Sequence, residues 1–455
     1  MRAVRRWLDD TAGGLPATFW YLWTGLLINR AGAFAMLFLS LYLTDARGAS
    51  EALTGTVVGA YGLGGAGGVL LGGVLADRWG RRATLLAAHL ATAGLMVALA
   101  FSRHLALIAV LAALVGVAHS MPSPAFVAAI VDVVPEPRRS RAFNLQFWAF
   151  NLGMAVASLL AGLLAEASFL ALFLVDAAAT LAAAVVIAWK VPETLSRVRA
   201  GRTPGAAPTA GRGEPTAEHG ASAAGHGRPA AGRRGRPRPP GLHTALTDRT
   251  FLTFVGLTFV LAVLTLQTST IMPLAMRADG LRPSAYGAVV ALGGVLIVVG
   301  QLFVPRLIER HRKHHVLAVS TALLAAGFAA LAVADDLAVY LAAAVVWTVG
   351  QMLAAPPNAQ INADLAPPGL RARYQSVFYL AFPAASFVAP TLGGVSLQYL
   401  GDGHWLVVGG LGLLAAGCHL LTGPARDRRV AALRTARVEK QNARHDAVVT
   451  GARTV

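Results

Sequence analysis

Charge is what this chain has least of. Only 13% of its 455 residues are Asp, Glu, Lys or Arg, against about 25% in a soluble domain. That excludes an ordinary water-soluble fold. Cysteine is nearly absent: Cys418 stands alone, so neither an intrachain disulfide nor a cysteine metal cluster can form. Its expected role is a small buried apolar side chain in the last span. Lysine is restricted to Lys190, Lys313 and Lys440, an arginine bias that suggests a GC-rich bacterial genome. Gly-x-Ser-x-Gly, His-Glu-x-x-His and phosphate-loop patterns are all missing, which argues against an enzyme or an ATP-driven pump. No cofactor and no metal site are expected. His311, His314 and His315 cluster, but Arg312 and Lys313 beside them oppose a cation. Alternating segments of about ten residues, the mark of a membrane barrel, are not seen.

What is abundant is apolar sequence, 56% of the chain. It comes in blocks of roughly 18–27 residues, the length that spans about 30 Å of hydrocarbon as a helix. Spans are predicted at 17–43, 52–76, 83–101, 105–131, 142–165 and 168–189. Six more fall at 250–275, 284–305, 316–334, 337–361, 374–399 and 404–422. In lipid each segment must satisfy its own backbone, so runs this long read as helices. The fold class is all-α integral membrane with twelve transmembrane helices. The first span is too long for a signal-peptide core and lacks a small-x-small cleavage site, so it is expected to be retained.

The net charge of +17 would suggest a nucleic-acid partner in a soluble protein. Its placement argues otherwise. With the N-terminus inside, the inner loops hold Arg78, Arg81, Arg82, Arg138, Arg139, Arg141, Arg306, Arg310, Arg312, Lys313, Arg371 and Arg373. The outer loops hold only Arg47, Arg103, Arg277 and Arg282. The asymmetry fits the positive-inside rule and places both termini in the cytoplasm of a bacterial cell with the chain in its inner membrane. The partners are then the lipid bilayer and a small-molecule substrate, with no nucleic acid and a monomeric working unit.

Five segments follow. Residues 1–16 form a cytoplasmic arm, 17–190 a first six-helix bundle, 250–422 a second, and 423–455 a cytoplasmic tail. Residues 191–249, rich in Ala, Gly, Pro and Arg, cannot bury a core and read as a disordered basic linker. The halves are related. Asp132, Pro135 and Arg141 follow the fourth span as Asp364, Pro367 and Arg373 follow the tenth. Gly72 and Arg78 are echoed by Gly300 and Arg306, with Pro305 opposite Asp77. Duplicated halves about an axis normal to the membrane place a substrate site between them at mid-depth. In the second span Gly64, Gly68 and Gly72 form a stripe where another helix can approach closely.

The turn between spans two and three reads Gly73-Val74-Leu75-Ala76-Asp77-Arg78-Trp79-Gly80-Arg81-Arg82. It resembles the signature loop of the major facilitator superfamily, with Gly73, Asp77, Arg78, Gly80, Arg81 and Arg82 at matching positions. The resemblance implies two pseudo-symmetric six-helix bundles and a loop that gates the cytoplasmic side. It also implies that Asp77 lies near the N-terminal end of span eleven, where the helix dipole favours negative charge. Asn29-Arg30-Ala31-Gly32, Phe173-x-x-Asp176, Pro192-Glu193-Thr194 and Trp347-Thr348-x-Gly350 are further similar to twelve-helix multidrug efflux carriers of the drug:proton antiporter kind. The chain departs from that pattern in span five, where Ala157-Ser158-Leu159-Leu160-Ala161-Gly162 replaces Gly-Pro-x-x-Gly-Gly. The element stands in span eleven instead, as Ala389-Pro390-Thr391-Leu392-Gly393-Gly394. The span-four arginine of many such antiporters is also absent.

Three ionisable residues inside spans are candidates for coupling. Arg30 lies about 20 Å along span one at 1.5 Å per residue, and a cation there costs at least ~2.5 kcal/mol unless it is paired or solvated. It is either a structural partner of Asp176 or a substrate or coupling site. Asp176 is either a proton carrier or a structural group. His119 titrates near neutral pH in its free form and is matched in the second half by Gln351. Asn29, Asn151, Gln267 and Gln351 are candidate polar contacts in a substrate cavity. Trp148, Trp347, Tyr379 and Phe382 are its candidate apolar wall. A roomy apolar cavity with few polar anchors suits amphiphilic substrates. The expected function is secondary transport by alternating access, driven by a proton gradient and exporting hydrophobic or amphiphilic molecules. Uptake or facilitated diffusion of a metabolite is the alternative, and a non-transporting sensor on the same fold is a second.

Overall fold

The structure, a computed structural model, describes residues 13–33, 35–193, 243–300, 303–308, 310–367 and 370–451. Residues 194–242, most of the expected linker, and residues 1–12 of the expected arm lie outside the described residues. Twelve helices carry the architecture. The first half comprises α1 (Ala17–Ala31), α2 (Glu51–Arg78), α3 (Arg81–Phe101), α4 (Leu105–Val133), α5 (Arg139–Ala167) and α6 (Phe169–Lys190). The second comprises α7 (Arg249–Thr270), α8 (Pro283–Gly300), α9 (Lys313–Ala329), α10 (Leu337–Leu365), α11 (Arg371–Leu400) and α12 (Gly403–Gly451). Among the described residues there is no strand. Side-chain oxygens satisfy the first amides of several helices: Ser50 for α2, Ser168 for α6, Asp248 for α7 and Asp336 for α10.

Among the described residues, eleven helices are long and apolar enough to cross a membrane. The exception is α1, with 15 residues. The predicted span 17–43 is therefore corrected to a discontinuous one. The helix ends at Ala31, residues 32, 33 and 35–38 lie outside it, and short helical pieces resume at Leu39–Leu41 and Tyr42–Ala46. The break is tolerated because it is buried against α6, where Asp176 accepts a hydrogen bond from the Ala35 amide at 3.0 Å. Irregular backbone at membrane depth survives only where protein satisfies it.

Two further expectations are corrected. Residues 423–451, expected as a tail, continue α12 as one helix through Pro424. Its extension is tied to the second half: Arg429 pairs with Asp248, Tyr374 donates its hydroxyl to the same carboxylate at 2.8 Å, and His314 lies 3.0 Å from Asp427. Cys418 is exposed on the bundle perimeter.

The duplication is visible as chemistry. Arg81, opening α3, pairs with Asp132 at the end of α4 at 3.0 Å. Lys313, opening α9, pairs with Asp364 at the end of α10 at 2.8 Å. The glycine stripe of α2 meets α4: a Cβ on Gly64, Gly68 or Gly72 would lie 2.0–2.2 Å from the Ala113, Val117 or Met121 carbonyl. That contact is internal to the first half. Another face of α2 meets the second half, where Gly55 and Gly62 touch the Pro390 and Ser386 carbonyls of α11. Helix α5 meets α8 in the same way, through Gly162 on Ser284 and Gly287 on the Ser158 carbonyl.

Candidate functional site: two adjoining cavities

The turn at 78–81 defines one face of the molecule, and residues 134–138 and the end of α10 at Leu365 share it. The opposite face carries residues 46–50, 279–282 and 401–402. Contacts between halves gather toward this opposite face. Asp45 pairs with Arg277, the Ala52 amide donates to Gln398 at 3.1 Å, and the Ser284 amide donates to Glu166 at 3.2 Å. Toward the turn face the helices leave room. A cavity of about 580 Å³ is lined by α7, α10 and α11, from Gln375 and Asn362 near the turn face to Gln351 and Ser386 at mid-depth. Its wall includes Leu261, Phe378, Tyr379 and Phe382. The polar lining is uncharged, and Thr258 donates to Asn358 at 3.0 Å within it.

A second pocket of about 200 Å³ adjoins it at mid-depth, sharing Leu266 and Ser386. Here the three ionisable candidates come together: Arg30, His119 and Asp176 all line it. An Arg30 terminal nitrogen lies 3.3 Å from His119 Nε2, and its guanidinium sits 4.6 Å from the centre of the Phe150 ring. Tyr61 completes the wall, its ring centre 6.4 Å from that of His119. Gly153 of α5 makes room for the arginine, since a Cβ there would come within 2.6 Å of Arg30 Cβ.

A pairing of Arg30 with Asp176, one of the two alternatives, is not among the ion pairs of the described residues. No described carboxylate oxygen lies within 4.0 Å of the guanidinium. Asp176 is 2% exposed, and both its oxygens are engaged: Oδ2 by Ala35 N–H, Oδ1 by the Thr180 hydroxyl at 3.4 Å. Its local work is to cap the break in span one, although it still acts on Arg30 through space.

Of the eight expected cavity residues, Gln351, Tyr379 and Phe382 line the larger cavity. The other five lie elsewhere. Asn29 donates to Thr180 at 3.4 Å and ties α1 to α6. Asn151 donates to its own helix at Phe147 and is buried against Gly294 of α8. Gln267 is buried beside Gly393 of α11. Trp347 stacks on Phe328, 5.3 Å between ring centres, in the interior of the second half. Trp148 is half-buried and lines neither cavity. The tryptophan fails because large aromatics pack equally well between helices. Asn29 and Asn151 are taken up by neighbouring protein groups, whereas Gln267 is buried in the contact with α11 without a hydrogen-bond partner for its oxygen.

Sequence reasoning did not single out Tyr61, Phe150, Asn358, Asn362 or Gln375. Their signals are ordinary for a helix bundle. Only Asn358 and Asn362, one turn apart in α10, carry a legible hint as amides four residues apart inside an apolar run.

At the turn face, Gly80 has φ +109°, a conformation that favours glycine. Glu193 accepts from the Arg81 amide at 2.9 Å and the Arg82 amide at 3.2 Å, which closes the start of α3. Arg81 reaches the Ala76 carbonyl at 3.0 Å and Asp77 at 3.7 Å. The Asp77 side chain is 80% exposed. Gly73 faces open space, Arg78 ends α2, and Arg82 donates to the Ala188 carbonyl of α6. Arg81, Arg82 and Glu193 thus lock α2, α3, α4 and α6 at one corner.

The family model of the Major Facilitator Superfamily matches residues 22–274 and 253–450. The chain belongs to the Major Facilitator Superfamily. The chain is 26% identical over 404 residues to the "uncharacterized MFS-type transporter YhjO" of Bacillus subtilis (strain 168), covering 87% of this chain and 90% of that protein. It is 28% identical over 206 residues to a gallate transporter of Pseudomonas putida, covering 44% of this chain and 45% of that protein. The solved structure of a peptide transporter POT in complex with sulfate superposes with a TM-score of 0.70 at 16% identity, over 92% of this chain and 99% of that one. At that identity the likeness concerns the fold alone. A facilitator-superfamily chain is a transporter and not an enzyme, and this one is a multi-pass membrane protein.

Proposed function

We propose that this facilitator-superfamily transporter exports hydrophobic or amphiphilic small molecules from a bacterial cytoplasm in exchange for protons. The observation that carries the reading is the cavity among α7, α10 and α11: apolar-walled, without a charged residue in its lining, and running from Gln375 in the first turns of α11 to Ser386. Basic loops favour the cytoplasm for the turn face, where Arg78, Arg81, Arg82, Arg138, Arg139 and Arg141 lie. Substrate then loads from inside or from the inner leaflet. Rocking the halves about the mid-depth contacts closes the turn face and opens the other. His119 and Asp176, at the apex of the cavity, are the titratable groups placed to link protonation to that movement. The working unit is a single chain.

A second reading is uptake of an aromatic acid by proton symport, favoured by the similarity to the gallate transporter over 206 residues. Proteoliposome flux of a compound panel, with and without an imposed pH gradient, separates them. Antiport predicts that an inside-acidic gradient drives compounds into inside-out vesicles oppositely to proton flow. Flux along the proton flow supports symport, and flux indifferent to the gradient removes both.

A further inference from the structure

Arg30 is a cation in the last turn of α1, where span one breaks, without a contacting carboxylate among the described residues. No described carboxylate oxygen lies within 4.0 Å. The carboxylate that shares its pocket is committed to Ala35 N–H and the Thr180 hydroxyl. Buried charge is costly unless an opposite charge or water compensates it. Phe150 supports the guanidinium from one side and His119 touches one terminal nitrogen. Arg30 Nε is buried without a hydrogen-bond partner. The remaining surface opens into a pocket of about 200 Å³ that Tyr61, Ser269 and Thr270 edge with hydroxyl groups.

We propose that this pocket is a carboxylate subsite, and that the transported class is a monoanionic amphiphile with an aromatic or alkyl body. The inference rests on the reading that the larger cavity and the smaller pocket adjoining it form the transport path. The guanidinium presents a planar donor pair that suits a carboxylate. One arginine, with Asp176 in the same pocket, leaves too little positive charge for a phosphate dianion. The body extends past Leu266 and Ser386, the residues common to both pockets, into the larger cavity beside Tyr379 and Phe382. That cavity carries no Asp or Glu in its lining, so a cationic amphiphile finds no counter-charge there. The structure thus favours anionic over cationic cargo on the same body.

The test uses the purified full-length chain and three probes with one body: 4-phenylbutyrate, its amide and its trimethylammonium analogue. The carboxylate is expected to bind at least about tenfold tighter than the amide, which a single charge-assisted contact supplies. Arg30→Gln should abolish that preference by bringing the carboxylate to the affinity of the amide, and an unshifted thermal midpoint shows that the fold is intact. Arg30→Lys should keep part of it. Equal or tighter binding of the amide or the trimethylammonium compound to the unaltered protein overturns the subsite. So does a carboxylate preference that survives Arg30→Gln, or binding of none of the three. Flux of the amide in proteoliposomes separates the two levels: movement without carboxylate preference sinks the subsite and leaves the transport reading standing.

Discussion

Asp176 shows how much one side chain can carry. It is 2% exposed, yet it holds the interrupted backbone of span one through Ala35 N–H and anchors Thr180, which in turn receives Asn29. Removing an acceptor from a buried donor costs about 1–3 kcal/mol. Asp176→Ala is therefore expected to lower the thermal midpoint in detergent by several degrees, and Asp176→Asn, which keeps an acceptor oxygen, by less. Equal midpoints for all three proteins would show that the capping bond contributes nothing. Asp77 behaves differently. Its carboxylate is 80% exposed here, in a state open at the turn face. Asp77→Asn should increase the population of this state, because the closed turn face loses a charge suited to the start of α11. Spin-label distance distributions across the turn face report it, and unchanged distances with unchanged transport would count against the idea.

At the scale of the element, α2 presents two glycine faces with different duties. Gly64, Gly68 and Gly72 press against α4 within one half, while Gly55, Gly59 and Gly62 press against α11 in the other. The first contact is fixed packing and the second must part when the halves rock. A leucine at Gly68 would place its Cβ 2.1 Å from the Val117 carbonyl, and overpacking of this kind costs about 1–3 kcal/mol or more. Gly68→Leu should therefore reduce the yield of folded, monodisperse protein. Gly67, which faces open space, should accept alanine with no loss, since alanine favours a helix by up to ~1 kcal/mol over glycine. Size-exclusion profiles of the two variants decide the matter, and matching profiles would contradict the packing argument. The stripe itself was legible in the sequence. Which helix it meets was not, because small residues announce close approach without naming the partner.

For the whole molecule, the decisive contacts join the halves on the face opposite the turns. Asp45 and Arg277 form the ion pair that bridges them, with side chains 33% and 46% exposed. Half-exposed pairs contribute about 0.2–1 kcal/mol, enough to move a balanced two-state equilibrium by at most about fivefold. Asp45→Asn or Arg277→Gln should shift the population toward the state open on this face, and the charge-swapped pair Asp45→Arg with Arg277→Asp should restore it. Accessibility of an engineered cysteine at Ser284 to a membrane-impermeant reagent measures the shift. A single variant with unaltered labelling would show that helix contacts such as Gly55 on Pro390 close the face unaided.

The sequence by itself determined the all-α membrane class, the family, the duplication and the eleven uninterrupted spans found among the described residues. Those follow from local constraints: lipid forbids unsatisfied backbone, charge marks the loops, and Gly80 is needed where φ is positive. It also identified Arg30, His119 and Asp176 as residues that a membrane would not hold without cause. Only the tertiary structure decided that the three share a pocket, that Asp176 serves the break in span one rather than contacting Arg30, and that Trp347 belongs to the interior. The reason is that lipid is as apolar as a bundle interior. Helices in this chain are apolar all round, so periodicity does not distinguish the face toward lipid from the face toward a neighbour or a cavity. Which side chains meet across 141 residues, as Ala35 and Asp176 do, is settled only when the helices pack.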